Sequence, residues 1–185
     1  MAATRRARSA DERTRTADQL AERVLALPEV TAARTVAVYV STATEPGTSP
    51  LRVALRGRGI RVLLPVLLAD GDLDWAVDDG ALRPGLRPAV EEPEGRRLGV
   101  AAIAGADVVV CPATAVAVDG TRLGKGGGSY DRGLARTDAL TVALVHDDEV
   151  LDRLPRAAHD HPVRVAVTPT RTVWLPATAR SIPEG

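Results

Sequence analysis

Cysteine is almost missing from this sequence, where Cys111 stands alone. No disulfide can close within the chain and no Cys-rich zinc site can form, which points to a reducing compartment and makes a cytoplasmic location the expectation. Neither charge is in excess, with 24 Lys plus Arg against 24 Asp plus Glu. The electrostatic footprint of a protein that grips nucleic acid or an anionic membrane surface is therefore lacking. No apolar run reaches the roughly 20 residues that span a bilayer. Met1-Ala2-Ala3-Thr4-Arg5-Arg6 has no apolar stretch behind it to act as a secretion signal. Phenylalanine does not occur, and together with the surplus of Ala, Val, Leu and Arg this reflects a GC-rich genome rather than an activity. What remains is 185 residues with 45% hydrophobic content, enough to bury a core as one domain.

The apolar pattern alternates between strand and helix chemistry. Ser9-Ala10-Asp11-Glu12 is a capping box, and Ala17, Leu20, Ala21, Val24 and Leu27 recur at helical spacing until Pro28 stops them. Residues 35–40 read as a short buried strand. Ser49-Pro50 starts a helix over 51–56, and 60–68 returns to strand chemistry, with Pro65 required to sit at an end or an edge. Residues 73–77 follow a turn as a hairpin partner or edge strand. Residues 78–105, rich in Pro, Gly and charge, read as a long extended connection of the kind that is often functional. Strands are expected over 106–111, 140–145 and 163–167, with 115–118 leading from the first of these toward a glycine loop. Helices are expected over 130–136 and 147–154, the second ended by Pro155. The fold class that follows is α/β, a three-layer α/β/α sandwich with a mostly parallel central sheet. Residues 1–8 and about 175–185 are expected to be poorly ordered.

The most informative stretch is Arg122-Leu123-Gly124-Lys125-Gly126-Gly127-Gly128-Ser129-Tyr130-Asp131-Arg132. Four glycines in five positions let the backbone take positive φ and bring its N–H groups against an anion. The helix start behind them aims unpaired amides at the same place. Arg122 and Lys125 add positive charge, and Asp131 adds an oxygen ligand of the type Mg²⁺ prefers. The loop is neither a Walker A motif nor the dinucleotide fingerprint, because Gly126 follows Lys125 and the glycines are spaced differently. A flexible turn after Asp119-Gly120 would need neither the cations nor the acid.

The motifs around it resemble those of 5-formyltetrahydrofolate cyclo-ligases. The resemblance runs from about Ser9 to Thr168, through Val38-Tyr39-Val40-Ser41, Glu45-Pro46-Gly47-Thr48, Val62-Leu63-Leu64-Pro65, Glu92-Pro93, Asp107-Val108-Val109-Val110-Cys111-Pro112 and the glycine loop. It implies an ATP- and Mg²⁺-dependent ring closure of 5-formyltetrahydrofolate to 5,10-methenyltetrahydrofolate, with release of ADP and phosphate. It also implies site residues. Arg122, Leu123, Gly124, Lys125, Gly126, Gly127, Gly128, Ser129 and Tyr130 are expected at ATP, with Arg122 and Lys125 acting on the developing charge. Glu45, Lys125, Gly126, Gly127, Gly128 and Ser129 are expected at the folate, and Asp131 and Asp160 at Mg²⁺. The implied partners are ATP and a reduced folate, with no nucleic acid and no membrane, and a monomer is expected. Three departures stand out. The family's opening Lys-x-x-Leu-Arg helix is not matched, leaving Arg5, Arg6 or Arg8 to stand in for its cations and weaker ATP binding to be expected. Ser129 replaces an aromatic residue and offers a helix cap, and Pro46-Gly47 replaces a branched and acidic pair.

Without the resemblance, Glu45 reads as a solvated acid and His159-Asp160-His161 as a polar turn. Cys111 reads as a small buried hydrophobe, His146 as a structural histidine, and Trp75 and Trp174 as packing residues. Two other function classes stay open at this level. One is a sugar-phosphate isomerase or transferase using the loop for a phosphomonoester. The other is a catalytically weak nucleotide- or folate-binding protein.

Overall fold

A computed structural model describes residues 2–87 and 89–176. The chain begins with α1 (Ala2–Ala7), α2 (Ala10–Leu25) and α3 (Pro28–Thr31), then β1 (Thr35–Val38), α4 (Ser49–Gly57), β2 (Arg61–Leu67) and β3 (Leu73–Val77). A small hairpin, β4 (Leu82–Pro84) and β5 (Glu91–Pro93), and a 3-10 turn at Val100–Gly105 precede β6 (Val108–Pro112), β7 (Ala115–Ala117) and β8 (Arg122–Leu123). The last part holds α5 (Ser129–Leu134), β9 (Leu140–Leu144), a 3-10 turn at Asp147–Glu149, β10 (Val150–Leu151), β11 (Val165–Val167) and β12 (Thr172–Trp174).

Seven strands form the central sheet in the order β12-β11-β9-β6-β1-β2-β3. The five inner strands run parallel, and β12 and β3 close the two edges antiparallel. Successive residues of the inner strands point to opposite faces, so strands covered on both sides are apolar throughout. Val36, Val38, Val108, Val110, Val142 and Val165 face one core with Leu20 and Val24 of α2, Val30 of α3, and Leu51 and Leu55 of α4. Ala37, Val109, Cys111, Ala143 and Ala166 face the other, with Trp75, Ile103 and Leu134. The expected mostly parallel sheet is present between two covering layers. The second layer is not a row of helices: it combines the 3-10 turn at Val100–Gly105, the six-residue α5 and a three-stranded sheet ordered β10-β7-β8.

The capping box forms as read. The Glu12 amide donates to Ser9 Oγ at 3.2 Å, and the Ser9 amide to Glu12 Oε2 at 2.7 Å. Pro65 lies inside β2 opposite Trp75, but the ladder to β1 stops at Leu63, so at Pro65 the strand has a neighbour only on the β3 side.

Several expectations are corrected. Residues 147–154 do not form a helix. Glu149 is buried at 1% exposure as the acceptor for Arg5, and Val150 and Leu151 are drawn into parallel pairing with Val116 and Ala117. The start of the chain, expected to lack order, is helical over Ala2–Ala7 because Arg5 anchors it. The connection over 78–105 contains the β4–β5 hairpin and a 3-10 turn. The tail expected to lack order lies, from residue 177 onward, outside the described residues.

Candidate active site

The parallel strands deliver their carboxyl ends to a cleft of about 360 Å³. Tyr39 and Val40 follow β1, Pro112, Ala113 and Thr114 close β6, and Pro65 and Leu67 come from β2. Ligands collect at this edge of an open parallel sheet. The glycine loop forms the facing wall, and its conformation explains its composition. β8 pairs antiparallel with β7 through Arg122 opposite Val116 and Leu123 opposite Ala115, fixing where the loop starts. Gly126 (φ 83) and Gly128 (φ 64) then take left-handed backbone that a residue with a Cβ adopts only under strain. A Cβ on Gly124 would lie 3.0 Å from Arg122 Nη1, so that glycine lets the loop fold back over the guanidinium. Gly128 is the N-cap of α5, with no side chain bonded to the first amides. Ser129 is therefore the first helical residue and not the cap.

Charged side chains bind the loop to its surroundings. Arg122, with its side chain 4% exposed, donates to Asp131 Oδ1 at 2.6 Å and to the Pro112 carbonyl at 3.4 Å. The same Asp131 oxygen accepts from the His161 amide at 3.2 Å, which draws the segment carrying Asp160 toward the loop. Asp160 lines the cleft beside His159, and its Oδ2 accepts from the Ala157 amide at 2.7 Å. Lys125 Nζ lies 2.7 Å from Glu45 Oε1 across the cleft. Glu45 is held for that contact, since its Oε2 accepts from the Thr42 amide at 2.8 Å and the Thr42 hydroxyl at 2.9 Å. Tyr39 donates to the Pro46 carbonyl at 2.6 Å and fixes the next step of the same loop.

Burial pushes the Tyr39 and Tyr130 hydroxyls well above the usual phenol range, so both remain protonated donors. The Tyr130 hydroxyl is buried without a hydrogen-bond partner among the described residues. Burial likewise lifts the Cys111 thiol to about 11, which leaves it the small hydrophobe that the sequence suggests and not a nucleophile.

Of the residues singled out in the sequence, Glu45, residues 122–131 and Asp160 line this one cleft. None of the N-terminal cations does. Arg5 is paired to both Glu149 carboxylate oxygens at 2.6 Å and Arg8 to Asp148 at 3.1 Å, and neither lines the cleft, nor does Arg6. Among the lining residues that sequence reading missed, the β4–β5 hairpin contributes Arg87, Val90, Glu91 and Glu92. Their only signals were the unusual length of the 78–105 connection and the Glu92-Pro93 pair.

A sequence profile described as the 5-formyltetrahydrofolate cyclo-ligase family matches residues 1–169. A 5-formyltetrahydrofolate cyclo-ligase from Mycolicibacterium smegmatis is 41% identical over 151 residues, 76% of each chain. One from Escherichia coli is 33% identical over 178 residues, 92% of this chain and 96% of its own. Among solved structures, the 5,10-methenyltetrahydrofolate synthetase of Aquifex aeolicus superposes with a TM-score of 0.80 at 29% identity, covering 98% of this chain and 92% of that one. The Mycoplasma pneumoniae enzyme of the same name, at 18% identity and a TM-score of 0.69, shares the fold. A profile match over residues 1–169 and two relatives aligned well beyond two thirds of their lengths place this chain in the 5-formyltetrahydrofolate cyclo-ligase family.

Proposed function

We propose that the cleft binds ATP and 5-formyltetrahydrofolate together and closes the latter to 5,10-methenyltetrahydrofolate, releasing ADP and phosphate. The observation that carries this reading is the 2.7 Å contact between Lys125 and Glu45. It joins the loop suited to phosphate to the loop suited to the folate, so the two half-sites meet at one pair of side chains.

The chemistry demands such a meeting. A formamide oxygen is a poor leaving group, and transfer of the γ-phosphoryl group onto it converts it into phosphate. N10 then attacks the formyl carbon, the C–O bond breaks, the N10 proton is lost and phosphate departs. Phosphoryl transfer asks the protein for positioning and charge neutralisation more than for covalent chemistry. The amides of the glycine loop line the phosphate path, with Arg122 and Lys125 as the cations that meet developing charge. Glu45 orients Lys125 at rest and becomes available to the folate when the phosphates draw Lys125 away.

Mg²⁺ would neutralise phosphate charge when bound. Asp131 and Asp160 supply hard carboxylate oxygens on the same cleft, and Asp131 Oδ2 accepts no hydrogen bond among the described residues. No group of three or more potential ligands is gathered among those residues. That donor set fits an ion that keeps phosphate oxygens and waters in its shell, as Mg²⁺ does. A monomer in the cytoplasm is part of the same proposal. The buried free thiol, which a reducing compartment preserves, supports the location.

The test is direct. Purified protein with 5-formyltetrahydrofolate, ATP and Mg²⁺ is expected to give the strong near-ultraviolet absorbance of the methenyl product, one ADP per product. Product formation without ATP, or none with it, would overturn the proposal.

A further inference from the structure

Three cations line the cleft: Arg87, Arg122 and Lys125. Two are neutralised inside the protein, Arg122 by Asp131 at 2.6 Å and Lys125 by Glu45 at 2.7 Å. Arg87 is exposed and has no ion pair or side-chain hydrogen bond among the described residues. Glu91, the other exposed charge that the hairpin brings to the cleft, makes no ion pair with it.

The backbone carrying Arg87 is braced. The Val90 amide donates to the Arg87 carbonyl at 3.2 Å and the Gly85 amide to the Val90 carbonyl at 2.8 Å, which closes the turn. Glu92, 4% exposed, ties that turn to the central sheet: its Oε1 accepts from the Leu67 amide at 3.1 Å and the Leu86 amide at 3.4 Å. A Cβ on Gly85 would strike the Glu92 carboxylate at 2.8 Å, so the tie passes through a space only glycine leaves. An unpartnered guanidinium thus stands on a braced turn at the cleft, on an element separate from the glycine loop.

We propose that Arg87 is a specificity-determining residue that receives the carboxylates at the glutamate end of the reduced folate. This inference rests on the reading of the cleft given above. The substrate is a pterin joined through an aminobenzoyl group to a glutamate, with its reacting formyl group at one end and its anionic carboxylates at the other. The reacting end belongs with Lys125 and the phosphates, which leaves the carboxylates to a cation on another element of the cleft. A planar guanidinium offers two parallel N–H donors to a carboxylate, and Arg87 is the cleft cation with its donors unspent.

The experiment compares wild type with Arg87→Ala on 5-formyltetrahydrofolate and on 5-formyltetrahydropteroate, which lacks the glutamate. Arg87 is exposed, so its truncation removes no core packing. The variant is expected to raise the KM for 5-formyltetrahydrofolate about fivefold, the scale of a solvent-accessible ion pair, with kcat and the KM for ATP unchanged. Removal of the glutamate should cost wild type about the same factor and the variant less than twofold, and Arg87→Lys should recover part of the loss. An equal truncation penalty in both proteins, or a change confined to the KM for ATP, would overturn the assignment. Wild type that forms no product from the full substrate with ATP would instead overturn the reading of the cleft itself.

Discussion

Asp131 both lines the cleft and neutralises a buried cation. Its sequence position, inside a glycine loop, suggests a solvent-facing ligand whose loss leaves the fold intact. Its carboxylate is in fact the counter-charge of a guanidinium whose own side chain is 4% exposed. Asp131→Ala is therefore expected to abolish turnover and also to destabilise the protein by about 3 kcal/mol, because the buried Arg122 charge loses its partner. Urea unfolding of the variant checks the second half, and undiminished stability would show that the pair is worth nothing to the fold. Gly126 behaves differently: a Cβ there meets nothing within 4 Å, yet φ is 83. Gly126→Val is expected to cost roughly 1–2 kcal/mol through backbone strain and to raise the KM for ATP more than that for folate in steady-state kinetics. Residue types at the site were legible because glycine, cation and acid in register have few other uses. The ion pairs were not, since Lys125 and Glu45 stand 80 residues apart and only the folded sheet brings them together.

Elements were readable where they are long and periodic. The capping box and apolar stripe of α2 and the valine-rich inner strands appear as the periodicity dictates. Failures cluster in two- and three-residue elements such as β8, β10 and β12, whose pairing is set by neighbours and leaves no periodicity to read. The expected helix over 147–154 failed for a tertiary reason, because its carboxylate at 149 is committed to Arg5 of α1. The β4–β5 turn carries a strain that sequence alone does not reveal, since Ala89 has φ 63 without being glycine. Ala89→Gly is expected to stabilise the protein by up to about 1 kcal/mol, the left-handed penalty less the added freedom of the unfolded chain. A shifted urea midpoint would record it, and a loss of stability would mean that Ala89 contributes packing that outweighs its strain.

At the scale of the whole molecule, the balance of 24 cations and 24 acids hides how unevenly charge is spent. Asp78 is the clearest case: its side chain is 0% exposed, with Arg52 Nε at 2.8 Å and Arg56 Nη1 at 2.7 Å. Burial alone would raise its carboxyl, but hydrogen bonds and charge from Arg52 and Arg56 hold it below the ordinary 3.8. The stabilisation is therefore complete above pH 4 and is lost as pH falls through the lowered value in the folded state. Thermal melting of wild type should drop steeply below pH 4, and Asp78→Asn should flatten that limb while lowering Tm at pH 7. Equal acid limbs would place the transition elsewhere. The α/β class itself was visible in the alternation of apolar strands with helices, because strands apolar on both faces need a covering layer on each side.

Lys125 is the sequence's one lysine, every other basic side chain apart from histidine being arginine. Its side chain is 61% exposed, and Glu45 meets its ammonium at 2.7 Å. Amine-selective labels therefore have a single side-chain target in this molecule, at the junction of the two proposed half-sites. One covalent tag can report occupancy there by fluorescence or intact mass, with the chain's own α-amino group as the internal standard.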